Sequence, residues 1–137
     1  MLKKIICLMA LLAACQCPPA FAEDMRFVDA DGATGYYVDV STISIGGPEN
    51  NISEAGVAVV KANQNRRYLY RMRFDRGLET YEVLSSEVQA YDTRKVLEKN
   101  SFGRLPQRYG LSSPMHSIVA YIYEWQAEQE KAKQKSY

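Results

Sequence analysis

Five arginines fall within eleven residues: Arg66, Arg67, Arg71, Arg73 and Arg76. On an extended strand Arg67, Arg71 and Arg73 share one face, with neighbours two residues apart separated by roughly 7 Å. Guanidiniums so spaced can grip carboxylates or sulfates on a partner, often bidentately. The same row can instead form a solvated charge lattice with Glu82 or Glu87 on a neighbouring strand, which is worth little. Arg67, Arg71 and Arg73 are therefore the candidate binding residues, and both readings stand at this stage.

Catalytic chemistry finds few carriers. The single histidine, His116, has the spacing of a packing or surface residue near the start of a helix. No Gly-x-Ser-x-Gly elbow and no glycine-rich phosphate loop occurs. Asp29-Ala30-Asp31-Gly32 is too short for a calcium loop and reads as a hairpin turn. With one histidine, a zinc site would have to rest on carboxylates. Asn51-Ile52-Ser53 matches a glycosylation sequon and is read as incidental. No catalytic residue, metal site or cofactor is expected.

The elements that carry these residues start after a leader. Lys3 and Lys4 precede an apolar run from Ile5 to Cys15, and Ala20-Phe21-Ala22 supplies a small-x-small cleavage site. The run falls short of the about 20 apolar residues of a membrane anchor. Residues 1–22 are expected to be a signal peptide, with Glu23 as the new N-terminus. Leu12-Ala13-Ala14-Cys15 also resembles a lipobox, which makes Cys15 a candidate lipidation site. Export is expected either way.

All three cysteines, Cys7, Cys15 and Cys17, lie in this leader, so a chain cut after Ala22 has no thiol and no disulfide. Removing 22 residues from 137 leaves 115, enough for one domain. Removing two lysines from 17 basic residues leaves 15 against 16 acidic ones, a formal charge of −1. That balance argues against nucleic-acid binding.

Ten tyrosines and many valines and isoleucines favour strands. Met25–Ala30 and Gly35–Val40 flank an Asp31-Gly32 turn. A short strand at Ile43–Ile45 follows, and Gly46-Gly47-Pro48 breaks the chain. Ile52–Ala62 is a strand with Val57 and Val59 on one face and Ala58 and Val60 on the other. In Arg67–Asp75, Tyr68, Tyr70, Met72 and Phe74 alternate with the arginines and Leu69. Glu79–Tyr91 is a long strand bulged near Ser85-Ser86, Lys95–Phe102 is the last strand, and Gly103–Ser112 is a loop. Ser113-Pro114 caps a helix whose Met115, Ile118, Val119 and Ile122 make one apolar stripe. Trp125, Tyr121 and Tyr123 group on this helix, and Gln126–Lys135 is a polar extension expected to fray. The predicted fold is α+β: an antiparallel sheet of about six strands with a C-terminal helix packed on one face. The domain covers residues 23–125 and the polar helical tail 126–137.

Gly35-Tyr36-Tyr37-Val38-Asp39-Val40-Ser41-Thr42-Ile43, Met72-Arg73-Phe74-Asp75-Arg76, Tyr81-Glu82-Val83-Leu84-Ser85 and the Ser113-to-Trp125 helix together resemble the surface-adhesin protein E family of Gram-negative bacteria. The resemblance covers nearly all of the chain after the leader. It implies an antiparallel sheet with a packed helix, no enzymatic activity, and a place in the periplasm, outer membrane or cell surface. For the namesake branch it implies adhesion to host extracellular-matrix proteins. The alternative is a periplasmic structural or accessory protein that binds a bacterial envelope partner, with Gln126–Tyr137 as docking element. The expected partner is thus a protein, of the host matrix or the bacterial envelope, with a homodimer also open. Membrane contact is expected only through a lipid at Cys15. The family has a cysteine after Phe-Asp where this chain has Arg76, and the partner cysteine is replaced near Tyr123 or Glu124. An Arg76–Glu124 ion pair is expected in place of that covalent link.

Overall fold

The computed structural model describes residues 23–101 and 103–135. Residues 1–22, with the expected signal peptide and the candidate lipidation site Cys15, lie outside the described residues, as do Phe102 and the last two residues of the chain.

Among the described residues seven strands and one long helix follow one another: β1 (Met25–Asp31), β2 (Thr34–Gly46), β3 (Ile52–Lys61), β4 (Arg66–Asp75), β5 (Thr80–Ala90), β6 (Val96–Asn100), β7 (Gln107–Arg108) and α1 (Pro114–Lys135). The sheet is a curled antiparallel meander in the order β1-β2-β3-β4-β5-β6, with β7 added beside β5. The α+β arrangement expected from the sequence is the one found.

Cross-strand partners sort the side chains into two faces. Val38 opposes Val57, Val57 opposes Tyr70, Ala55 opposes Met72, and Phe74 opposes Tyr81. This face packs under α1, whose Ile118, Val119 and Ile122 are buried with Val38, Ala55, Val57, Met72, Phe74 and Tyr109 in one core. The stripe read at helical spacing is the stripe that is buried, with Met115 half-buried beside it. Ser113 Oγ accepts from the His116 amide at 3.4 Å, and Pro114 holds the first helical position, where its missing N–H costs nothing. His116 sits beside Tyr109, ring centroids 6.3 Å apart, as a packing residue. Beyond Gln126 the helix runs on to Lys135 fully exposed, helical where fraying was expected.

Burial beneath the helix raises the phenol pKa of Tyr70 above the usual 10.0, and burial does the same to Tyr109 and Tyr123. These rings stay neutral and act as apolar bodies with one polar tip. Tyr123 accordingly donates its hydroxyl to the Asn50 carbonyl at 2.6 Å.

Irregularities bend the sheet. The pairing of β4 with β5 slips between Arg71–Ser85 and Met72–Val83, which leaves Leu84 as the extra residue of a bulge. It lies one position from the expected Ser85-Ser86. The short strand expected at Ile43–Ile45 is the end of one continuous β2, whose pairing with β3 is irregular between Asp39 and Ser44. There Thr42 Oγ1 donates to the Asp39 carbonyl and accepts from the Gly56 amide, both at 2.8 Å, replacing ladder bonds. β7 falls in the segment expected to be loop. It pairs only with Thr80 and Tyr81, and the Tyr81 hydroxyl donates to Gln107 Oε1 at 2.8 Å.

Candidate functional site

Arg67, Arg71 and Arg73 do share a face of β4, the face turned away from the helix. Their environments nevertheless differ. The curl of the sheet closes this face at one end, where Ala58, Leu69, Gln89 and Asp39 are buried. Arg67 lies among them at 5 % exposure. Its Nη1 donates to Gln89 Oε1 at 3.1 Å and to Glu23 Oε1 at 3.0 Å. Gln89 Nε2 in turn donates to Glu87 Oε2 at 2.6 Å. A buried guanidinium thus sits in a closed polar relay and is no longer free to grip a partner's anion by itself.

Arg71 Nη1 donates to the Thr42 carbonyl at 3.3 Å, which ties β4 to the irregular stretch of β2. Arg73 is exposed and stands between Glu54, at 3.9 Å, and Glu82, at 3.6 Å. Glu82 is one of the two cross-strand partners considered from the sequence. The other, Glu87, reaches Arg67 only through Gln89 and pairs with Lys99 at 3.4 Å. The row is therefore one buried structural arginine, one that bridges strands and one in a surface lattice.

The cleft above Arg67 is a better candidate. It holds about 160 Å³ and is lined by Met25, Tyr37, Ala58, Val60, Arg67, Tyr91 and Arg94. Tyr37, Val60 and Tyr91 continue into a neighbouring depression of about 270 Å³ that reaches the β1–β2 turn. Two aromatic walls and two guanidiniums thus border one concave surface. Tyr91 is 39 % exposed, Phe27 meets Tyr37 edge-on with centroids 5.6 Å apart, and the Arg94 guanidinium lies 5.2 Å from the Tyr91 ring centre. The turn that presents Tyr91 and Arg94 is fixed by Asn65: its carbonyl accepts from the Tyr91 amide at 3.2 Å, and its Oδ1 from the Asp92 amide at 3.0 Å. Arg94 itself has φ 62, a left-handed conformation suited to a tight turn.

Arg94 and Tyr91 were not singled out from the sequence. The available signal was β3, which reads Ala55-Gly56-Val57-Ala58-Val59-Val60, apolar at consecutive positions. A strand apolar on both sides is covered on both sides, so the arginine-bearing face had to be partly enclosed.

Arg76 does not pair with Glu124. Its guanidinium lies 3.8 Å from the centre of the Tyr123 ring, and its Nε donates to Asn51 Oδ1 at 3.2 Å. Tyr123 stands about 40° around the helix from the buried Val119, whereas Glu124 lies about 200° from the buried Ile122, on the solvent side. The contact is a cation–π one, worth roughly 0.5–1 kcal/mol at an exposed site. Arg26 makes a second, 5.3 Å from the Trp125 ring. Trp125 therefore joins β1 to the helix. A further concavity of about 200 Å³ under the start of α1 is mainly apolar, bordered by Tyr70, Met72, Tyr81, Val83 and Met115 with Arg104 at its side.

Among the described residues no group of three or more histidines, cysteines, aspartates or glutamates is placed to hold a metal ion, and no helix is long and apolar enough to cross a membrane. Compared with protein-family models, with curated proteins and with solved structures, the chain finds no match.

Proposed function

We propose that this chain is an exported, non-enzymatic binding protein of a Gram-negative cell envelope, and that its concave face receives an acidic segment of a protein partner. One observation carries this reading: the cleft over Arg67 joins the exposed ring of Tyr91, with the Arg94 guanidinium over it, to Tyr37. Aromatic and arginine side chains on a concave surface are the residue types that anchor protein interfaces. The expected leader and the resemblance to surface-adhesin protein E support a partner in the host matrix.

The test must spare Arg67, because substituting it disturbs the fold as well as the surface. Binding of the purified domain to matrix proteins and to heparin should weaken about tenfold or more in Arg94→Glu, where charge is reversed at the rim. Arg73→Glu, outside the cleft, should change binding less than twofold. Equal binding by wild type and Arg94→Glu would refute the concave face as the binding surface.

The second reading, a periplasmic accessory protein with a bacterial partner, rests on the tail. Residues 127–135 are helical, exposed and rich in Lys, Glu and Gln.

A further inference from the structure

The carboxylate of Asp39 is the most enclosed charge in the fold, with 0 % exposure. Its Oδ1 accepts from the Asp24 amide at 3.1 Å, the Ser41 amide at 3.2 Å and the Ser41 hydroxyl. Its Oδ2 accepts from the backbone nitrogen of Glu23 at 2.9 Å, the one donor to it among the described residues. Each of these donors is neutral while residue 23 is joined to residue 22. None of the ion pairs formed among the described residues includes Asp39. These four hydrogen bonds offset part of the cost of burying the charge, and among the described residues no opposite charge adds to them.

Glu23 is the residue that cleavage at Ala20-Phe21-Ala22 would expose. It is held at both ends, its nitrogen on Asp39 and its side chain on Arg67 at 3.0 Å. Its φ is 52, a left-handed value that a glutamate adopts reluctantly while a carbonyl precedes it.

We propose that the fold contains a receptor for its own processed N-terminus, in which the Glu23 α-ammonium released by cleavage after Ala22 pairs with the buried Asp39 carboxylate. Hydrolysis consumes one water, leaves a carboxylate on Ala22, and frees an amine on Glu23 that takes up a proton at neutral pH. The amide already 2.9 Å from Oδ2 becomes an ammonium, so a neutral hydrogen bond becomes a charge-assisted one, about twice as strong. Cleavage also removes the carbonyl whose crowding made the left-handed conformation costly. The neighbouring charges do not compete: the Glu23 carboxylate is taken by Arg67, the Asp24 carboxylate by Arg26 at 2.9 Å, and Arg71 donates to the Thr42 carbonyl. Arg67 both holds Glu23 and lines the cleft, so one side chain connects the new terminus to that surface.

This inference shares one step with the proposed function, cleavage after Ala22. The pairing itself can be tested without export. All strands and the helix start after Glu23, so the chain from Glu23 to Tyr137 contains the whole described fold. It can be released from a fusion partner by a protease that leaves no extra residue, then compared with a chain that keeps Ala20-Phe21-Ala22. The Glu23-start chain should melt about 5 °C or more above the extended one. Nα-acetylation, which removes the charge and leaves Asp39 intact, should return the midpoint to that of the extended chain. In Asp39→Asn the difference between the two starts should vanish, and if that variant does not fold, the acetylation comparison decides. Equal midpoints for the two starts, or an acetylated chain as stable as the free amine, would overturn the pairing.

Discussion

Phe74→Ala is expected to cost about 3–5 kcal/mol, the range for a buried aromatic reduced to a methyl group. Phe74 is 0 % exposed and belongs to the same buried core as Ile118 and Ile122 of the helix. Truncation leaves a cavity at the seam between the two layers, where neither layer can collapse without losing its grip on the other. Domains of this size are stable by only about 5–15 kcal/mol. Beyond Cys17 this chain has no cysteine to staple it. The variant should lose a third or more of its urea midpoint and approach unfolding near physiological temperature. The adjacent residue supplies the contrast. Arg73 is exposed and its pairs with Glu54 and Glu82 are long, so Arg73→Ala should cost less than about 1 kcal/mol. Equal losses at positions 73 and 74 would mean that the helix does not cover this face.

The second large effect separates two arginines that line one cleft. Arg67→Ala should cost about 2–3 kcal/mol. It removes charge-assisted hydrogen bonds to Glu23 and Gln89 and leaves the buried Gln89 oxygen without its donor. The figure stays below that for a fully buried ion pair because the Glu23 side chain is 53 % exposed and water can take its carboxylate. Arg94→Ala, at the exposed rim of the same cleft, should change stability by less than about 0.5 kcal/mol. Urea unfolding of the two variants checks both values. A neutral Arg67→Ala would show that the relay from Glu23 through Arg67 to Gln89 and Glu87 is not a structural element.

The layered fold was legible because its signals are local. The alternation of Tyr68, Tyr70, Met72 and Phe74 with arginine, and the 3.6-residue spacing of Ile118, Val119 and Ile122, each mark the face that is buried. The Leu84 bulge was legible to within one residue from the two serines that follow it. β7 was not, because two polar residues carry no period and are held only by Thr80 and Tyr81. The fate of each arginine was also hidden. Arg67, Arg71 and Arg73 are equivalent by spacing, and only the curl of the sheet buries the first and exposes the last. Asp39 read as one polar position in a strand, since nothing local reveals that both its oxygens collect donors from residues fifteen and sixteen positions away. For Arg76 the choice of Tyr123 over Glu124 was within reach, because the helical period turns residue 124 to solvent.

Delivery across a membrane and removal of residues 1–22 underlie the proposed location, the absence of thiols and the pairing of Glu23 with Asp39. The intact mass of the chain recovered from the envelope of the cells that make it tests this directly. A mass equal to residues 23–137 without modification is the predicted result. A mass that retains residues 1–22 would contradict the account as a whole, and one that starts at Cys15 with an attached diacylglycerol would keep export but contradict the free Glu23 terminus.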